Sequence, residues 1–122
     1  MHSGKQWGET STVFQNQSAD VQILRINEHG FCSIHKHKHK FNLFYVIEGC
    51  LEVSVKKKGQ GLTDSTILHA GESMTVAPGE YHQFRAHEDT RALEVYWTEL
   101  SEDISRKSSG GSDANDQKSE LL

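Results

Sequence analysis

Long apolar runs are missing from this chain of 122 residues, which also holds a single proline, only two cysteines and fewer basic than acidic side chains. No stretch approaches the roughly 20 consecutive apolar residues that a membrane helix needs. The opening Met1-His2-Ser3-Gly4-Lys5 lacks the apolar run of a secretory signal, so the expectation is a cytoplasmic protein with no membrane partner. Cys32 and Cys50 are too few for a disulfide framework and lack C-x-x-C spacing; both read as reduced, small, mostly buried side chains. A net charge of -4 argues against a nucleic-acid partner, which rewards a concentrated positive face.

What is present is enough for one small domain with one core. From about Ser105 to Leu122 the chain is almost wholly polar and cannot repay its ordering entropy by burial, so it reads as a disordered tail. Residues 1–19 are also polar except for Trp7, Val13 and Phe14, which suits a short arm or edge strand, and a homodimer could exchange that arm. Residues 20–104 form the domain proper. Its β-type runs are Val21 to Ile26, Phe31 to His39, Phe41 to Ile47, Leu51 to Val55, Thr66 to Leu68, Ser73 to Val76, His82 to Ala86 and Ala92 to Trp97. Glu48-Gly49 marks a tight turn, and Lys56 to Gly61 a solvated hairpin tip. No long amphipathic helix is visible. Short strands punctuated this often predict an all-β antiparallel sandwich or barrel, and a jelly roll solves the edge problem at this size.

The unusual feature is eight histidines, three of them alternating with lysine. On a strand, His35, His37 and His39 share one face while Lys36, Lys38 and Lys40 take the other. Imidazoles two residues apart leave the backbone about 7 Å from one another and can converge on one cation. A third ligand has to come from elsewhere, and His82, directly after Pro78-Gly79-Glu80-Tyr81, is placed to supply it. Taken singly these residues have plainer readings: the His/Lys run as a solvated face or an adventitious metal-binding stretch, and His82 as a core histidine. His2, His29, His69 and His87 fall in turns or ends and read as exposed.

Two motifs in order give the set more meaning. Gly30, His35, His37 and Gly49 follow G-x5-H-x-H-x3,4-E-x6-G with one residue fewer after the first glycine and Asn42 at the glutamate. Gly71, Gly79 and His82 follow G-x5-P-x-G-x2-H-x3-N, with Ala77 at the proline, Pro78 beside it and Ala86 at the asparagine. The chain thereby resembles the cupin superfamily. The resemblance implies a double-stranded β-helix, the jelly-roll cupin barrel, and a divalent first-row metal (zinc, iron, manganese or nickel) held by His35, His37, Asn42 and His82. Asn42 is the departure: an amide oxygen is a weaker ligand than a carboxylate, and losing its charge leaves the metal more electropositive toward anionic ligands.

A narrower likeness lies within the superfamily. Lys5-Gln6-Trp7-Gly8-Glu9, the segment Ser33 to Phe44, Ala77-Pro78-Gly79-Glu80-Tyr81-His82, Leu93-Glu94-Val95 and Ser101-Glu102-Asp103-Ile104 are similar to segments of the cupin domain of type II phosphomannose isomerases and mannose-1-phosphate guanylyltransferases. In that register His35 stands at a glutamine ligand and Asn42 again at a glutamate. The resemblance implies a small-molecule ligand, an anionic sugar phosphate among the options. Isomerisation needs a proton carrier, for which His39 and Glu94 are the candidates, and a cation for phosphate, Lys40 or Arg85. Phe44 and Tyr96 are candidate pocket walls, and each of these residues also has a plain reading as core or surface. Two other functions stay open: a non-haem metal-dependent dioxygenase, since three histidines with open positions suffice for that chemistry, and a non-catalytic small-molecule-binding cupin.

Overall fold

A computed structural model describes residues 2–57, 63–98 and 107–112. Among these, nine strands and no helix are found: β1 His2–Lys5, β2 Gly8–Gln15, β3 Ala19–Ile26, β4 Phe41–Glu48, β5 Cys50–Lys56, β6 Thr63–His69, β7 Ser73–Val76, β8 Tyr81–Ala86 and β9 Thr90–Trp97. They assemble into a six-stranded sheet, ordered β1-β2-β3-β9-β4-β7, and a three-stranded sheet, ordered β6-β5-β8, with antiparallel pairing throughout. This is the all-β, jelly-roll architecture expected from the strand pattern.

Alternation explains why the two sheets close on each other. β5 buries Leu51, Val53 and Val55 and leaves Glu52 and Ser54 outward; β4 buries Asn42, Phe44 and Val46; β8 buries His82, Phe84 and Ala86. With Leu24, Ile26, Leu68, Val76 and Ala92 these side chains make one continuous core, each large member contributing about 1.5–3 kcal/mol. The polar Asn42 and His82 therefore stand in core rows, at one end of the sandwich. The β4–β5 turn needs Gly49: its φ is 102°, and a Cβ there would lie 2.5 Å from the Thr90 hydroxyl and 2.6 Å from the Asp89 carbonyl.

The structure corrects the expected strand from Phe31 to His39. This stretch touches β8 only through isolated bridges, Phe31 with Arg85 and His35 with His82, and residues 38 and 39 lie in a bend. The strict period of two is therefore lost before His39. The polar N-terminal stretch is paired into the large sheet: β1 forms its edge, and β2 pairs with β3 along its length. A bulge between Thr12 and Phe14 adds one residue to β2, and Val13 and Phe14 are both exposed. Cys32 is buried, Cys50 half-buried, and both are free thiols. The expected hairpin tip lies mostly, and the tail largely, outside the described residues; residues 107–112 are exposed and outside any strand.

Candidate metal centre

Backbone hydrogen bonds bring two remote stretches of chain together. His35 N–H donates to the His82 carbonyl at 3.1 Å, and His82 N–H returns a bond to the His35 carbonyl at 2.9 Å. Gly79 N–H donates to the His37 carbonyl at 2.8 Å, so the turn before β8 is tied to the histidine segment as well. These bonds set His35, His37 and His82 side by side. Their ring centroids are 4.4 to 5.6 Å apart, and one nitrogen from each ring lies within 4.8 Å of the other two.

The hydrogen bonds also settle which nitrogen faces inward. His35 Nδ1 lies 2.9 Å from the Ser33 carbonyl and His82 Nδ1 lies 3.1 Å from the Glu80 carbonyl. A carbonyl oxygen only accepts, so each Nδ1 carries the proton and a neutral ring keeps its lone pair on Nε2. This is the orientation a metal-ligating histidine uses. Burial, then the neighbouring histidines, holds the His37 imidazole below its usual pKa; burial does the same at His82 against an opposing bond to Glu80. Neutral imidazole is the ligand form.

Two buried polar atoms beside these rings lack a hydrogen-bond partner, His37 Nε2 and Asn42 Oδ1. Asn42 is fully buried; its Nδ2 donates to His82 Nε2 at 3.2 Å and to Glu94 Oε2 at 3.4 Å. A cation shared by the three rings would satisfy His37 Nε2 and take the His82 Nε2 lone pair that Asn42 Nδ2 otherwise holds, and imidazole nitrogens suit a first-row divalent ion. The residues present therefore fit a metal.

Glu94 and Tyr96 complete the interior next to the histidines. Glu94 is 7% exposed, and burial raises its carboxyl above the usual range although bonds to Tyr96 and Asn42 oppose the shift. The Tyr96 ring stands edge-on to His37 at 4.8 Å, and burial and Glu94 raise its phenol well above normal. His35, Glu94 and Tyr96 face an open cleft of ≈ 990 Å³ whose wall also includes Trp7, Thr12, Asp20 and Gln22. Cys32, also on this wall, is inert at neutral pH because burial pushes its thiol up to about 11.

Other expected site residues stand elsewhere. His39 is exposed in the bend, because the chain leaves the extended register after His37. Lys40 is exposed and off the cleft wall. Arg85 points outward from β8 and caps the Phe31 ring at 4.5 Å. Phe44 is wholly inside the core with its ring 6.3 Å from His82, where it supports that imidazole and does not line the cleft. His29, His69 and His87 are exposed, as expected, and His87 pairs with Glu52 at 2.7 Å. The sequence reading missed Thr12, Asp20 and Gln22; the available signal was that Asp20 and Gln22 share the inward parity of Leu24 and Ile26.

Comparison with known proteins agrees with this fold. The chain resembles KdgF from a Halomonas species, with 16% identity, TM-score 0.64, and 75% of this chain and 79% of that one covered. An RmlC-like cupin from Shewanella frigidimarina gives 20% identity, TM-score 0.63, and coverage of 75% and 76%. Oxalate decarboxylase from Bacillus subtilis gives 17% identity and TM-score 0.72; 80% of this chain is covered but only 27% of that one. At such identities the likeness is one of fold. No curated protein matches the chain in sequence. Residues 22–99 match the family profile described as cupin domain, a span that includes His35, His37, Asn42, His82 and Glu94, and the chain belongs to that family.

Proposed function

We propose that the chain binds one first-row divalent metal through His35, His37 and His82 and, with Glu94 as proton carrier, isomerises a small hydroxy-carbonyl compound held in the adjoining cleft. The observation that carries this reading is the convergence of three imidazole nitrogens, two of the rings, His35 and His82, having Nδ1 bound to backbone carbonyls so that the Nε2 lone pair is the one on offer. A metal bound there supplies Lewis acidity toward carbonyl and hydroxyl oxygens.

The chain's own groups do the rest. Glu94 is the one buried carboxylate beside the site among the described residues, and moving a proton between neighbouring carbons needs a group that accepts and returns it. Tyr96 holds the Glu94 carboxylate in place by a hydrogen bond, and Asn42 binds its Oε2 from the other side. The position of His39 favours Glu94 for this role. Lys40 and Arg85 stand away from the cleft, so a phosphate would find neither of them on its wall. The exposed Val13 and Phe14 on β2 are the apolar surface for the proposed homodimer, which sedimentation equilibrium tests directly.

The test is elemental analysis of untagged protein, followed by interconversion assays on mannose and fructose and on their 6-phosphates after loading manganese, iron, nickel or zinc. Turnover that depends on metal and disappears in Glu94→Gln supports the reading. Metal binding without isomerisation removes the catalytic part, and oxygen uptake with a diol or thiol substrate would assign the site to dioxygen chemistry instead.

A further inference from the structure

The interior of the large sheet changes character along its strands. On β3 the inward row runs Ile26, Leu24, Gln22, Asp20: the first two are core, the next two are polar and half-buried. The same switch occurs on the neighbours. Thr12 and Gln15 of β2 stand opposite Gln22 and Asp20, because the bulge after Thr12 restores inward parity at Gln15. On β9, Glu94 and Tyr96 pair with Gln22 and Asp20. Six polar side chains thus form one row across three strands, all on the cleft wall.

Polar groups on an inward row add nothing to an apolar core and cost desolvation, so the fold alone would favour valine or leucine there. Here they are wired together. Thr12 Oγ1 donates to Gln22 Oε1 at 3.2 Å, Gln22 Nε2 donates to Asp20 Oδ1 at 2.6 Å, and Gln15 Nε2 donates to Asp20 Oδ2 at 3.3 Å. Amides, a hydroxyl and a carboxylate oriented in this way offer donors and acceptors in alternation, which is what a run of vicinal hydroxyls requires, each being donor and acceptor at once. Trp7, edge-on to Phe84 at 5.0 Å, adds an aromatic wall for the C–H face of such a molecule. Charge sharpens the choice. With the ligand's reacting end at the histidines, its far end lies along this row, where the carboxylates Asp20 and Glu94 outnumber the single lysine Lys5, so a phosphate at that far end meets repulsion.

We propose that this polar row binds an uncharged polyhydroxylated ligand, a free sugar or polyol, in preference to its phosphate. The inference deepens the metal-centred reading above and rests on it for the ligand's reacting end.

Calorimetric titration of the full-length protein, metal-loaded and metal-free, with D-fructose, D-mannose and their 6-phosphates tests it. The free sugars are expected to bind at least about tenfold more tightly than the phosphates. Asp20→Asn and Gln22→Ala are each expected to weaken sugar binding by about tenfold while metal content and melting temperature stay at wild-type values. Tighter binding of the phosphates overturns the proposal, as does the absence of binding by either sugar at millimolar concentration. Metal retained without sugar binding defeats this inference alone; sugar binding without metal retention defeats the metal-centred reading alone.

Discussion

Asn42 reaches across the barrel interior to His82, its amide nitrogen 3.2 Å from the imidazole Nε2. The contact occupies the lone pair that a metal would take, and the same amide nitrogen also serves Glu94. Where the cupin resemblance puts a carboxylate, this chain carries a neutral donor on His82, with the acidic group one strand away on β9.

That relationship predicts opposite effects of Asn42→Asp on affinity and stability. The added carboxylate supplies an anionic oxygen donor, so metal affinity should rise by about tenfold or more in a chelator-competition titration. Without metal it faces Glu94 in a buried site, where two carboxylates cannot both ionise cheaply. The metal-free variant should then lose about 1–3 kcal/mol in urea unfolding, and metal should restore it. Unchanged affinity would place Asn42 outside the coordination sphere.

Loss of a histidine should remove the metal. His82→Ala and His35→Ala are each expected to weaken binding by more than the 10–100-fold that losing an outer-shell partner costs, read as metal content after dialysis. His35 is the cleaner substitution because it is only half-buried, whereas His82 is 2% exposed and packs against Phe44. His39→Ala, in the exposed bend, should leave metal content at the wild-type level.

For catalysis, Glu94→Gln keeps the side chain's shape and one acceptor oxygen, turns the other into an amide donor and removes its proton-accepting charge. Isomerase kcat should fall by about 10²–10⁴-fold with metal retained. His39→Ala and Lys40→Ala should be kinetically silent. A wild-type rate in Glu94→Gln would move the proton carrier elsewhere.

The pH dependence of the metal-free protein follows from opposite shifts. His37 and His82 are lowered from 6.5, so below about that pH the unfolded chain binds protons that the native chain refuses. Stability falls as pH drops through this window and stops falling below the native pKa values. Glu94 is raised from 4.5, so the native chain holds an extra proton just above that pH. Its contribution is complete below about 4.5 and is lost as pH rises through the native value. Urea melts of Glu94→Gln should therefore show a steeper loss of stability on acidification than wild type, and coinciding profiles would place Glu94 in a solvated environment.

Gly49→Ala tests the turn that starts β5. With φ at 102° and the Thr90 hydroxyl and Asp89 carbonyl against the missing Cβ, the substitution should cost about 2 kcal/mol or more, measured as a lowered denaturation midpoint.

The linear chain was sufficient for the all-β class, for most strand positions and for the histidine triad. Alternation is a local property: Leu51, Val53 and Val55 announce a buried face without any knowledge of what covers it. His35 and His37 announce a shared direction for the same reason, and the turn Ala77 to Glu80 aims His82. Only the folded state decided the rest. Whether alternation continues to His39 depends on bonds to β8 that end at His35, and whether Lys40, Phe44 or Arg85 reaches the cleft depends on which sheet face each strand turns inward. The sequence puts Thr12 in an arm or edge strand and Gln22 in the strand from Val21 to Ile26, but nothing in it joins them with Asp20 into one row, because hydrophilic composition carries no address. The row's inward placement comes from β3 pairing with β9, where Asp20 meets Tyr96 and Gln22 meets Glu94 across more than seventy positions of chain, which no local pattern encodes.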